Sequence, residues 1–250
     1  MTVRRVTMVL CIVAALLAAV FRDNPLNRAA QNYAQTVAVT AAATYVTLRT
    51  LNAFLSTAQE VEVGLSFIAS GSAQPLKVLE PIDDTIERVA GLVFGVMVAT
   101  SILAVAIGPI SAIGFAMLAF ALILKLAPQR NMSLSRPMLW YGAFLGLAMP
   151  LALASSAIVA TTLTETTYQT NLSVITEITA TVGDTSIANE SEPGLREYRA
   201  LANNVWARAD ELISALIAVL GVYVFRIFLL PLLLIGAMLI AARHLARESS

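Results

Sequence analysis

One charged residue, Arg226, stands inside an otherwise charge-free apolar run, and it is the side chain best placed to do chemistry in this sequence. The run covers residues 212–242, and Pro231 follows Arg226 by five positions. Ionisable groups in membrane helices are costly in lipid, so they usually face a bundle interior or a water-filled cavity. Arg226 is therefore a candidate for attracting anions or gating a pore. Alternatively, its long side chain could reach the headgroup layer at the membrane surface.

Two proline sites are further candidates for gating. Gly108-Pro109 lies in the middle of the apolar run 89–124, and Pro231 lies in the last run. A proline inside a helix removes a main-chain hydrogen bond and bends the helix, so the bend can act as a hinge or expose a carbonyl to an ion. The alternative is packing alone, because proline is common in membrane helices.

The residue inventory offers no enzymatic or metal site. The chain has one histidine, His244, and one cysteine, Cys11, so it can form neither a histidine cluster nor a cysteine-based zinc site. The motifs of phosphate loops, zinc proteases and serine hydrolases are absent from the sequence. We therefore predict a protein that is not an enzyme and holds no cofactor. A net charge of zero also argues against nucleic-acid binding, which needs a basic excess.

Composition indicates an integral membrane protein. Of the 250 residues, 58% are hydrophobic and 13% are charged, whereas soluble domains have about 45–50% apolar and about 25% charged residues. Four runs are charge-free or nearly so: 6–21, 89–124, 137–164 and 212–242. Because one crossing needs about 20 apolar residues, we predict an all-α protein with four transmembrane helices. The first of these would be an uncleaved signal anchor.

The run 89–124 is long for one crossing and short for two, and the charge distribution favours one. With one crossing, both termini and the loop 127–138 are cytoplasmic. The cytoplasmic segments then hold one acidic residue, Glu248, against seven basic residues: Arg4, Arg5, Lys125, Arg130, Arg136, Arg243 and Arg247. The outer segments 22–88 and 165–211 hold eight basic and fifteen acidic residues. Since cytoplasmic loops carry the Lys/Arg excess, we predict a multi-pass protein of the plasma (inner) membrane.

Each outer segment has the pattern of a helical hairpin. Apolar residues spaced by three and four fall at Leu48, Leu51, Leu55, Ala58 and Leu65, with Glu62 in one slot, and again at Leu172, Ile175, Ile178 and Val182. Helix breakers follow at 71–75 and 183–194, and Pro81 suits the first turn of a new helix. The two extracytoplasmic hairpins should pack as a four-helix bundle.

The halves 1–126 and 139–250 share one layout, in which a span, an outer hairpin and a second span follow each other. Pro109 with Ile113-Gly114 in the first half matches Pro231 with Ile235-Gly236 in the second. These features suggest an internal two-fold repeat, joined by the loop 127–138. Such short matches also arise by chance in apolar sequence.

Two functions fit this layout. In the first, which the sequence slightly favours, copies of the chain assemble into a channel for small ions or solutes, with Arg226, Gly108, Pro109 and Pro231 near the path. In the second, the protein conducts nothing and is a scaffold or accessory subunit, whose outer bundle organises copies of itself or a partner protein. The expected partners are membrane lipids, further copies of the chain and an unidentified protein.

Overall fold

The computed structural model describes residues 3–66, 80–126, 132–187 and 195–248, and the regular elements in these ranges are all helical. In chain order the helices are α1 (Val3–Val20), α2 (Pro25–Ser66), α3 (Glu80–Leu126), α4 (Met132–Ala143), α5 (Met149–Ile187), α6 (Leu195–Ala207), α7 (Ala209–Val224) and α8 (Leu230–Glu248). Two five-residue π-turns join α4 to α5 (Phe144–Ala148) and α7 to α8 (Phe225–Leu229). In a π-turn each N–H bonds the carbonyl five residues back.

Four helical stretches are long and apolar enough to cross a membrane. They are Arg5–Ala58, Glu80–Leu126, Leu134–Ala180 and Ala209–His244, and each contains one of the four apolar runs. This confirms the prediction of an all-helical chain with four helices that could span a membrane. Helix α3 continues through Gly108 and Pro109 without interruption, so the run 89–124 is one helix and not a hairpin of two.

Most helix starts agree with local sequence signals. Asn24 precedes α2, and its Oδ1 accepts the Asn27 N–H at 2.9 Å, which satisfies one of the free donors of the first turn. Pro81 is the second residue of α3, as predicted. Two boundaries differ from the prediction. Helix α5 continues past Gly183, where a helix breaker was predicted, and α4 begins inside the predicted loop 127–138. Residues 127–131 and the predicted breaker at 71–75 lie outside the described residues.

Helix α2 buries one seam with a seven-residue repeat. Ten of its buried positions alternate in steps of three and four: Asn27, Ala30, Ala34, Val37, Ala41, Thr44, Leu48, Leu51, Leu55 and Ala58. This spacing is that of helices packed side by side with a left-handed twist. The seam therefore begins at Asn27, which lies 21 residues before Leu48, the first residue of the predicted pattern. Its predicted end, Glu62 and Leu65, lies outside the described side chains.

The chain divides into two compact units. Unit 1 consists of Met1–Ala38, Val98–Thr162 and Phe225–Ser250, and unit 2 of Val39–Met97 and Leu163–Val224. By sequence, unit 1 carries ten basic and two acidic residues, and unit 2 carries six basic and fourteen acidic residues. The net charge of zero thus hides a formal charge of +8 on unit 1 and −8 on unit 2.

Unit 2 contains an antiparallel pair of helices and an ion-pair cluster. On α2 and α3, the ring of Tyr45 packs against Phe94 with centroids 5.3 Å apart, and the Ser56 hydroxyl donates to Asp83 at 3.5 Å. Eleven residues separate the two contact positions on each helix, in opposite directions, so the helices are antiparallel. Arg208, between α6 and α7, pairs with Glu211 and with Glu177 of α5, each at 2.8 Å. The hydrogen bonds that Arg208 donates to Glu211 and Glu177 raise the pKa of Arg208 above its usual value.

A buried chain of hydroxyls links three helical segments of unit 2. Tyr223 Oη lies 2.8 Å from Thr44 Oγ1 and 3.1 Å from Tyr168 Oη. The Thr44 hydroxyl also lies 3.0 Å from the Thr40 carbonyl, to which it can donate. The segments from α2, α5 and α7 are thereby held together, as a helical bundle requires. Their extracytoplasmic location stays a prediction.

Unit 1 contains a close helix crossing that depends on glycine. A Cβ added at Gly142 would lie 2.6 Å from the backbone nitrogen of Leu118, and one at Gly146 would lie 3.0 Å from that of Phe115. A Cβ at Gly114 would lie 2.7 Å from the Leu145 carbonyl carbon. The pair Gly142-x-x-x-Gly146 thus packs directly on the α3 backbone around Gly114. Small residues at this spacing allow such approach in membrane proteins.

This crossing predicts that Gly142→Ala destabilises the protein by about 1–3 kcal/mol, the usual cost of overpacking. The matched change Gly236→Ala, where a Cβ meets nothing within 4 Å, should stabilise by up to about 1 kcal/mol because alanine favours helix. Thermal unfolding of the detergent-solubilised variants measures both. Equal effects at the two positions would contradict the close crossing.

Candidate functional site at Arg226

Arg226 lies on the buried side of its helical segment. Buried residues recur every seven positions at Val205, Leu212, Val219 and Arg226, and Arg226 is 7% exposed. Arg226 therefore occupies a position that apolar side chains fill one and two heptads earlier. Its side chain is buried within the chain.

The backbone at Arg226 is held in a π-turn that ends before a proline. In the π register the carbonyl of Arg226 would accept from the N–H of residue 231, but that residue is Pro231 and has no N–H. The hydroxyl of Tyr33, on α2, donates to this carbonyl at 2.8 Å. Arg226 also interacts electrostatically with the Tyr33 hydroxyl. Tyr33 thus replaces the main-chain donor that proline removes.

The π-turn Phe144–Ala148 has a related arrangement. The Met149 N–H bonds the Phe144 carbonyl, five residues back, and Pro150 follows directly. An α-helix would direct the N–H of residue 150 at the Gly146 carbonyl, and the Ser111 hydroxyl of α3 donates to that carbonyl at 3.3 Å. Both π-turns therefore precede a proline and receive a hydroxyl from another helix.

The structure brings together some of the predicted site residues and separates others. Arg226 and Pro231 share one segment, and both are buried. Gly108 is buried beneath the side chain of Gln31, whose Nε2 lies 3.0 Å from where a Cβ would be. Pro109 is exposed. Pro109 and Pro231 thus differ in environment, although their equivalence in a repeat stays a prediction.

Contacts along α3 give the level of the site within unit 1. Ala15 of α1 packs in one cluster with Phe115 and Ala119, whereas Gln31 lies at Gly108, seven to eleven residues earlier on α3. At 1.5 Å per residue this separation is about 10–16 Å. Since α1 ends at Val20, about 8 Å beyond Ala15, Gln31 lies beyond the end of α1. Tyr33 follows Gln31 by two residues, less than one helical turn, and is hydrogen-bonded to Arg226. Both residues therefore lie at or beyond the level at which α1 ends.

Sequence reasoning missed Tyr33 and Gln31 of α2, and it gave no indication that Ser111 of α3 bonds the Gly146 carbonyl. A signal for the π-turns was present, because Phe144 and Phe225 each stand six positions before a proline, at Pro150 and Pro231. Within the described ranges, no group of three or more His, Cys, Asp or Glu side chains could hold a metal ion. The arrangement is therefore an interior arginine whose main-chain carbonyl accepts the Tyr33 hydroxyl.

We expect Tyr33→Phe to destabilise the protein by about 1–3 kcal/mol, because it leaves the buried Arg226 carbonyl without its hydroxyl donor. Tyr141→Phe is the matched control, since Tyr141 is an exposed tyrosine of the same unit. Chemical unfolding in detergent, followed by circular dichroism, compares the two. A Tyr33→Phe protein as stable as Tyr141→Phe would refute the capping role.

Comparison with known proteins assigns no family to the chain, so a proposal about its function rests on the geometry of this site. No family model, curated protein or solved structure matches it.

Proposed function

We propose that this chain is a non-enzymatic membrane scaffold or accessory protein that conducts nothing. The observation that carries the proposal is the inward position of Arg226, which is 7% exposed within a single chain. A pore formed around an axis between copies needs its charged group on the surface of each chain. Arg226 is instead buried within its own chain.

The outward faces of unit 1 support the same proposal. Large apolar side chains cover them, including Leu10, Leu17, Ile102, Val105, Ile158 and Leu233. Lipid or apolar protein surfaces are the natural surroundings of such faces. A wet axis between copies would expose them to water. Assembly through these faces gives a packed complex instead of a conducting ring.

The role of Arg226 in this proposal is to fix helices near the edge of the bilayer. With α1 as the first span, Tyr33 and Arg226 lie near the outer headgroups, inside the protein. There the guanidinium attracts the hydroxyl and carbonyl dipoles of α2 and of its own segment. The Arg226 carbonyl has no main-chain donor because residue 231 is a proline, and the Tyr33 hydroxyl donates to it instead. Such a polar contact sets the position of α2 against the last span, which apolar packing alone specifies less sharply.

The channel remains a second candidate because unit 1 has a partly polar interior. Asn27, Thr100, Ser111, Ser156 and Arg226 are all buried there. In this version the path runs through each chain rather than between chains, and Arg226 favours anions over cations. Gly108, Pro109 and Pro231 would supply the bends.

Reversal potentials across planar bilayers, under a salt gradient, separate the two candidates. The scaffold proposal expects wild type, Arg226→Gln and Arg226→Lys all to match protein-free bilayers, while an added ionophore proves the assay. Arg136→Gln is the control, because Arg136 is an exposed arginine of the same unit. Wild-type conductance with an anion preference that Arg226→Gln lowers, Arg226→Lys keeps and Arg136→Gln leaves unchanged would overturn the proposal in favour of the channel.

A further inference from the structure

We infer that the turn between α1 and α2 binds the headgroup of a phospholipid that carries both a phosphate and an ammonium group. The residues that form this site are Arg22, Asp23, Asn24, Asn27 and Arg28, and we call it the headgroup site. All five belong to unit 1. The inference goes beyond the proposed scaffold function and holds whether or not the protein conducts.

Two buried amide atoms at this turn lack a hydrogen-bond partner. The side chain of Asn27 is 0% exposed, yet its Oδ1 accepts no hydrogen bond from the described part of the chain. The Nδ2 of Asn24 is likewise buried and donates to none of the described residues. Because an unpaired polar group away from water costs free energy, such atoms usually have a partner. A ligand that satisfies both atoms accepts a hydrogen bond from Asn24 and donates one to Asn27.

The turn is tied to the first turn of α2 by three hydrogen bonds. The Asn27 Nδ2 donates to the Arg22 carbonyl at 2.9 Å, and the Asn27 main-chain N–H donates to Asn24 Oδ1 at 2.9 Å. The Arg28 N–H donates to the Asn24 carbonyl at 3.0 Å. The two arginines are therefore held on either side of the unpaired amides. Since Arg22 is exposed, the turn is the side from which a ligand approaches.

The charges of the headgroup site match a zwitterion. Arg22 and Arg28 are exposed, and neither forms an ion pair within the described ranges. Together with the positive end of the α2 dipole they suit a phosphate, to which the Asn24 amide also donates. Asp23 is exposed as well and supplies a negative charge for an ammonium group, whose N–H donors suit Asn27 Oδ1. This is the headgroup chemistry of phosphatidylethanolamine, whereas the choline group of phosphatidylcholine has no N–H.

The position of the turn suits a lipid. Helix α1 has 18 residues, or about 27 Å, which is close to the hydrocarbon thickness of about 30 Å. Leu17, Val20 and Phe21 at its end are exposed apolar residues that suit acyl chains, and Arg22 follows directly. With α1 as a span, the headgroup site therefore lies at the level of the lipid phosphates.

Lipid retention by the full-length protein tests the assignment. The purified protein in detergent is mixed with equal amounts of phosphatidylethanolamine and phosphatidylcholine that have the same acyl chains, and bound lipid is counted by native mass spectrometry. The wild type should retain phosphatidylethanolamine over phosphatidylcholine by about threefold or more, because only the ammonium group donates hydrogen bonds. Equal retention of the two lipids would overturn the inference.

Asn24→Asp tests the phosphate contact without disturbing the start of the helix. The change removes the Nδ2 donor and keeps an oxygen that caps α2. Its carboxylate also repels phosphate, so retention of phosphatidylethanolamine should fall about tenfold. Asn32→Asp is the matched control, because it adds the same charge at an exposed position of the same helix and should leave retention unchanged. Wild-type retention in Asn24→Asp would contradict the headgroup site.

Competition with soluble compounds separates a lipid from a free phosphate compound. Inorganic phosphate and phosphoethanolamine, each in large excess, should leave the lipid bound, because neither has acyl chains to contact Leu17 and Phe21. Displacement of the lipid by either compound would assign the site to a soluble phosphate ligand and refute the phospholipid.

Discussion

A guanidinium group removed from water must find other dipoles to replace its hydration, and in this chain that requirement shapes the helices around Arg226. The residue sits where the seven-residue pattern of its segment places a buried side chain, after Val205, Leu212 and Val219. Polar groups of neighbouring helices have to meet it there. Tyr33 does so from α2, and its hydroxyl also satisfies the carbonyl that Pro231 leaves without a main-chain donor.

The same principle extends to the second π-turn and to the close crossing in unit 1. Backbone groups inside a membrane protein have no bulk water to bond, so each carbonyl freed by a proline needs a substitute donor. Ser111 supplies one to Gly146, and it can reach that carbonyl because Gly114, Gly142 and Gly146 let the backbones approach closely. The prolines, the glycines and the hydroxyl side chains thus depend on one another. Changing one of these residues affects the contacts of the others.

The large-scale architecture was readable from the sequence because it rests on length and charge. Runs without charge predict the four membrane-long helices, and the charge distribution predicts α3 as one helix through Gly108 and Pro109. The early part of the α2 seam was missed because Asn27, Ala34 and Ala41 carry little hydrophobic signal, although their spacing is regular.

The site was harder to predict, for two physical reasons. A π-turn inserts a single residue, which changes the direction of every later side chain without changing composition. Moreover, the partners of Arg226 and Gly146 come from distant helices, at Tyr33 and Ser111, and spacing along the chain carries no information about which helices meet. For Arg226 the sequence left two positions open, the bundle interior and the headgroup layer, and its heptad spacing from Leu212 and Val219 was the signal that favours the interior.

Enclosure of the Arg226 side chain is the feature on which the proposed role depends, and arginine-directed dicarbonyl labelling measures it in the wild-type protein, without a substitution. The purified protein in detergent is treated with phenylglyoxal, and modification of each arginine is followed by mass spectrometry. We predict that the exposed Arg22, Arg28 and Arg136 react readily, whereas Arg226 reacts only after the protein is unfolded. Modification of Arg226 in the folded protein at the rate of those exposed arginines would place its guanidinium in contact with water and contradict its enclosure.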